Sequence, residues 1–173
     1  MFDTVFGLVV KAEGPWDAAV PTDPGGDTCF GITRTYEPGW AGWPLVAALL
    51  QAKTDPDQWR LDTALMAEVH AYYWSMWVVM RMDQITTASL QGALFGGVVN
   101  QGPKVIGWLQ AILGIPMDEH IGPGTIAAIH ERENAGAGET LTMALSLKRI
   151  QHYAETAQPI YVRGLVLRVF AGA

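Results

Sequence analysis

Glu13 stands between two stretches of sequence that together suit acid catalysis. Before it runs an apolar segment at helical spacing, Phe2, Val5, Phe6, Val9 and Val10. After it, Gly14-Pro15-Trp16 cannot continue a helix. Ten residues on comes Asp23-Pro24-Gly25-Gly26-Asp27-Thr28-Cys29-Phe30-Gly31-Ile32-Thr33, dense in glycine and polar side chains. A carboxyl between an apolar wall and a glycine-rich loop is placed to be a general acid, because burial disfavours its charged form and moves its pKa toward working pH. The negative end of a helix acts in the same direction. The plainer alternative is a solvated glutamate at a helix C-terminus, and residue type and position weigh the two about equally.

Acid cleavage of a glycosidic bond wants a second polar group across the scissile bond, to orient water or to stabilise an oxocarbenium-like transition state. Asp23, Asp27 and Thr28 are the candidates. Asp-Pro-Gly-Gly-Asp is also an ordinary turn sequence, and the two readings are compatible. Trp16 and Phe30 are candidates for stacking on sugars. Asn100-Gln101-Gly102-Pro103 reads as a helix stop that could equally present amides to a ligand. Cys29, the single cysteine, rules out an internal disulfide and reads as a small packed thiol in preference to a nucleophile. His70, His120, His130 and His152 are scattered without metal-ligand spacing. There is no phosphate loop, dinucleotide fingerprint or nucleophile elbow, so neither a metal nor a cofactor is expected.

These residues need elements to hold them. Apolar periodicity predicts helices over 2–12, 45–53, 61–80, 86–100, 103–113, 126–133 and 140–156, with Thr125 as a cap and a short terminal helix beyond Pro159. Gly96 and Gly97 suggest close approach of a neighbour. Residues 14–33 read as a loop with a short hairpin. The fold class is therefore mainly α, with a glycine-rich loop or hairpin at the site.

The chain of 173 residues, half of them hydrophobic and 16% charged, is globular. The net charge of −6 argues against a general nucleic-acid binder. Residues 1–140 hold 7 Lys and Arg against 16 Asp and Glu, whereas 141–173 hold 4 against 1. Lys148, Arg149, Arg163 and Arg168 at that basic end read as a solvated helix face. No apolar run approaches the roughly 20 residues of a membrane span, so no stable insertion is expected. Without a basic leader, the expectation is synthesis in the cytoplasm without a signal peptide.

Taken together, Glu13-Gly14 and Asp23-Pro24-Gly25-Gly26-Asp27-Thr28-Cys29-Phe30-Gly31-Ile32-Thr33 resemble the Glu-Gly-Gly-Tyr and Asp-Pro-Gly-Gly…Tyr-Gly-Ile-Thr signature of the glycoside hydrolase family 108 muramidases. Tyr72-Tyr73-Trp74 resembles the family's Tyr-Trp helix, and Leu94 to Gly102 its Phe-Asp-x-x-Val-Asn-x-Gly segment. Leu109-Gln110, Leu113-Gly114 and Asp118 to Thr125 resemble the start of its peptidoglycan-binding-like part. Pro15-Trp16 stands where the family has Gly-Tyr, Asp27 where a small residue is common, Gly96 where Asp is usual, and Glu119 where Gly is usual. Gly164-Leu165 stands where Gly-Trp is usual.

The resemblance implies a lysozyme-like helical fold and hydrolysis of the β-1,4 bond between N-acetylmuramic acid and N-acetylglucosamine. Glu13 matches the catalytic glutamate. Beside Glu13, the residues themselves offer Asp23 and Thr28 as catalytic candidates and Trp16, Asp27, Phe30, Tyr73, Asn100 and Gln101 as substrate-binding candidates. Residues 1–102 would form the catalytic region and 103–173 a peptidoglycan-binding-like region packed with it. The expected partner is the peptidoglycan glycan strand, reached from the cytoplasm through a holin or a secretion system, by a monomer acting on the wall in phage-type lysis or release. The rivals are a lytic transglycosylase using the same glutamate, a chitinase-like specificity, and a non-catalytic wall-binding or secretion-linked protein.

Overall fold

The computed structural model describes residues 1–18, 26–156 and Val169. In order, its elements are α1 (Phe2–Glu13), β1 (Thr28–Cys29), β2 (Ile32–Thr33), α2 (Trp43–Gln51), a 3-10 helix (Pro56–Leu61) and α3 (Thr63–Val79). A second 3-10 turn (Met82–Gln84) leads to α4 (Ala88–Gln101), α5 (Lys104–Leu113), α6 (Pro123–Asn134) and α7 (Gly138–Thr156). The fold is mainly α with one small hairpin, as the helical spacing implied. Asp23, Gly164-Leu165 and the helix expected after Pro159 lie outside the described residues. The chain divides into two units, residues 10–75 and residues 1–9 with 76–173.

In the unit of residues 10–75, α1 stops after Glu13 because Gly14 turns left-handed at φ 74° and a proline follows. The hairpin pairs Thr28 with Thr33 and Cys29 with Ile32. Its two-residue turn, Phe30-Gly31, has φ of 48° and 82°, the double positive-φ pattern whose twist suits a tight hairpin. Asp17 bonds the other edge of β1, exchanging two backbone hydrogen bonds with Thr28 at 2.9 Å each. Asp62 starts α3 by accepting from the Leu65 N–H at 2.8 Å. Cys29, Phe30, Ile32, Val46, Trp59, Leu65, Val69 and Tyr73 form the buried core.

In the other unit, α4 packs on α5 and α7 around Leu90, Leu94, Phe95, Leu109 and Leu145. Phe2, Trp77 and Phe95 meet edge-to-face, with Trp77 and Phe95 5.2 Å apart. Gly97 allows a close approach as expected, since a Cβ there would lie 2.8 Å from Val105 Cγ1 and 3.1 Å from Arg149 Nε. Gly96 does not, having open space beside it.

Two expectations are corrected here. Arg149 is not on a solvated face: it is 1% exposed, and its Nε and Nη1 donate to Gln101 Oε1 (2.8 Å) and the Ala93 carbonyl (3.0 Å). Thr125 is not a cap, because α6 begins at Pro123 with Gly122 as its cap. Thr125 is instead buried, donating to the His120 carbonyl and accepting from Gln110 Nε2.

Candidate active site

The site is built where the end of α1, the hairpin turn and α3 converge within residues 10–75. Glu13 is the last residue of α1, half-buried, with its Oε1 out of solvent's reach. A methyl group on Gly31 would sit 2.7 Å from Tyr73 Oη, 2.9 Å from Glu13 Cγ and 3.2 Å from Glu13 Oε2. Glycine at 31 therefore serves twice, for its positive φ and for the space that the carboxyl and the phenol occupy. The Tyr73 hydroxyl donates to the Phe30 carbonyl at 2.7 Å and so fastens α3 to the turn. Burial and then the neighbouring Glu13 charge push Tyr73 well above its ordinary pKa, with smaller pushes from Tyr72 and Cys29, so it stays a neutral phenol.

Around this centre the hairpin is braced. Asp27 pairs with Arg34 at 3.4 Å, and the Arg34 guanidinium lies 4.2 Å from the Trp43 ring centre. Trp43 Nε1 donates to the Glu37 carbonyl at 2.7 Å, and the Tyr72 hydroxyl to Glu37 Oε1 at 3.2 Å. Burial first, and then Glu37, push Tyr72 up to about 12. Arg60 donates from Nη1 to the Val10 carbonyl at 3.0 Å and lies 5.3 Å from the Phe30 ring centre. Thr28 is half-buried, its hydroxyl donating to the Gly26 carbonyl at 3.3 Å. Trp16 is also half-buried, 5.4 Å from the Trp59 ring.

Several expected roles change with this geometry. Phe30 is 0% exposed and Tyr73 1% exposed, so neither ring can stack on a sugar; both support the turn from behind. Cys29 is buried with its thiol pushed up to about 12, which leaves it protonated and unreactive, as the packed-thiol reading held. Asn100 and Gln101 end α4 in the other unit. Asn100 Nδ2 donates to the Gly96 carbonyl at 2.8 Å. Gln101 is buried and its amide is committed to Arg149, so it does not present itself to a ligand. The supports Gly31, Arg34 and Arg60 escaped sequence reasoning. Phe-Gly between two β-prone pairs was the available sign of the turn, but nothing local pairs Arg60 with Val10, fifty residues away in sequence.

A family model described as "Glycosyl hydrolase 108" matches residues 6–102, more than half of the chain. The chain belongs to glycosyl hydrolase family 108. A second model, described as "Predicted Peptidoglycan domain", matches residues 104–164. This family 108 protein is therefore a glycoside hydrolase acting on peptidoglycan, and the described geometry sits within the matched segment. A solved structure titled "Structure of Brucella abortus SagA" is similar over 99% of this chain and 94% of that one, with a TM-score of 0.62 and 22% identity, a likeness of fold. Comparison with curated proteins finds no match.

Proposed function

We propose that this family 108 enzyme is a muramidase, hydrolysing the β-1,4 bond between N-acetylmuramic acid and N-acetylglucosamine, with Glu13 as general acid. The observation that carries the reading is the seat of Glu13: a helix-end carboxyl, partly withdrawn from water, set against a glycine turn that leaves it room. In the proposed step Glu13 gives its proton to the glycosidic oxygen, the C–O bond to the anomeric carbon breaks, and positive charge develops on that carbon. Thr28, with Asp23 or Asp27, orients the attacking water or steadies the charge, and the half-buried Trp16 is the residue we assign to stack on a sugar ring. Of these, Asp27 must share its carboxylate with Arg34. Residues 1–102 are assigned the cleavage and 103–173 the grip on the glycan. The setting we propose is phage-type lysis or particle release, the enzyme reaching the wall through a holin or a secretion system.

Glu13→Gln should lower the rate on purified peptidoglycan by at least roughly 10²–10⁴-fold, the usual worth of general acid catalysis. Clearance of sacculi at the parental rate would remove Glu13 from the mechanism. Mass spectrometry of the released muropeptides tests the reaction type: reducing ends fit hydrolysis, and 1,6-anhydro ends identify a transglycosylase instead.

A further inference from the structure

The residues assigned the grip on the glycan carry a basic face of their own. On α5, Lys104, Trp108 and Ile112 recur every four residues, and on α7 so do Ala144, Lys148 and His152. Each set therefore forms one stripe along its helix. Contacts at two ends set the stripes side by side and antiparallel. At one end Lys104 Nζ lies 3.1 Å from His152 Nε2, and the Trp108 and His152 ring centres are 5.0 Å apart. At the other, Ile112 and Ala144 line a cavity of about 90 Å³ with Leu141 and, from α6, Arg132. The chain as a whole is acidic, with a net charge of −6. Yet among the described residues neither Lys104 nor Arg132 meets a carboxylate. Lys104, Trp108, Ile112 and His152 are half-buried, and Arg132 and Lys148 are exposed.

An ammonium has no lone pair, so Lys104 donates and His152 Nε2 accepts, which requires a neutral imidazole. Burial first, and then Lys104 and Lys148, hold His152 below its ordinary pKa, against an upward pull from Glu155. A carboxylate set between Lys104 and His152 would accept from both and favour the charged imidazole. From Lys104 to Ile112 the stripe runs about 12 Å, at roughly 1.5 Å per helical residue. An extended peptide covers that length in about three to four residues. The cavity at the far end is well below the roughly 300–1,000 Å³ of a small-molecule pocket, so it suits an alkyl group of methyl size and no sugar ring. We infer that the α5–α7 face binds the short acidic peptide that peptidoglycan carries on its muramic acid: Lys104 and His152 hold one carboxylate beside Trp108, and an alanine methyl enters the cavity with its carboxylate on Arg132. The inference rests on peptidoglycan being the polymer that residues 103–173 grip, and it adds which part of that polymer they hold.

A monosaccharide muropeptide, one N-acetylmuramic acid with its peptide, has no β-1,4 bond to cleave, so its binding to the full chain is read apart from catalysis. In calorimetry the acid form should bind about tenfold or more tighter than a form with its carboxyls amidated, the worth of a hydrogen bond to a charged group. Lys104→Gln and Arg132→Gln should each weaken the acid form by a similar factor and leave the amidated form unchanged. In nuclear magnetic resonance, the imidazole signal missing from His152→Gln should titrate below about 6.5 in the free protein and rise by about one unit with saturating muropeptide. No binding, or equal affinity for the two forms, overturns the inference. So does parental affinity in Lys104→Gln, or a His152 midpoint that stays or falls. If inorganic phosphate or the neutral tetrasaccharide of N-acetylglucosamine moves His152 as far at equal concentration, the site is one for anions at large or for sugar, and the peptide assignment is wrong. If Lys104→Gln fails to fold, the two ligand forms on the parent decide alone. Should the parent bind the muropeptide as expected and leave sacculi uncut, the muramidase reading fails and the peptide site stands.

Discussion

At the scale of single residues, the site depends on the absence of a side chain at position 31. An L-residue in the left-handed region costs roughly 1–2 kcal/mol, and Phe30 already sits there at φ 48°. Its ring is fully buried and its carbonyl is fastened by Tyr73, which offsets that strain. Gly31 at φ 82° has no such allowance, because any Cβ would press on Tyr73 Oη and Glu13 Cγ. Gly31→Ala should therefore cost about 2 kcal/mol or more of stability, from strain and overpacking together. It should also displace the carboxyl it touches, so activity should fall further than the unfolded fraction explains. Urea unfolding and rates on purified sacculi, measured on the same preparation, check both. A variant with parental midpoint and parental rate would show that the turn does not set the acid.

At the scale of elements, α4 begins without a cap of its own. Thr87 at its start makes no side-chain capping bond, and Glu133 from α6 supplies the acceptor instead. Its Oε1 accepts from the Thr86 N–H at 2.9 Å and the Thr87 N–H at 2.6 Å. Burial pushes Glu133 up, but the bonds from Thr87 and Thr86 outweigh it and hold the carboxyl below its ordinary value. A carboxyl lowered in the folded state stabilises above its unfolded pKa, and that contribution is lost as pH falls through the folded one. Glu133→Gln should thus cost about 1 kcal/mol at pH 7, the usual worth of a helix cap. The deficit should shrink as pH falls through the lowered folded pKa, where the parent becomes protonated too; thermal melts at pH 7 and through the acid range read it. Such a cap is illegible locally, since its donors and acceptor lie 46 and 47 residues apart. The α5–α6 loop was more legible. Glu119, standing where the family usually has glycine, adopts φ 59°, which explains the family's preference. Thr125 was misplaced as a cap because Pro123 suits the first turn of a helix and starts α6 two residues earlier.

At the scale of the whole molecule, the helices of the described residues and the Glu-to-hairpin segment were readable because apolar period and turn chemistry are local properties. Which aromatic faces water and which arginine is buried were not readable, because burial is decided by partners distant in sequence. Phe30 looked like a sugar platform and Tyr73 like a substrate contact, and both are buried supports; Arg149 looked solvated and is buried. The two family matches meet near residue 103, yet α4 from the first packs on α5 and α7 from the second, and Arg149 is the polar part of that packing. Burial lowers its pKa, against a pull upward from Tyr153, and its donors satisfy Gln101 and the Ala93 carbonyl. Replacing it with Met keeps much of the volume and removes every donor, leaving the buried Gln101 Oε1 unpaired at roughly 1–3 kcal/mol, while the Ala93 carbonyl inside α4 keeps its helical bond. Arg149→Met should therefore cost roughly 1–3 kcal/mol in urea unfolding. Gln101→Leu in the same background should add less than it costs alone, because its acceptor has already lost its partner. Strict additivity of the two substitutions would mean that the buried guanidinium and the end of α4 do not act as one unit, and that α4 is held to α7 by apolar contact alone.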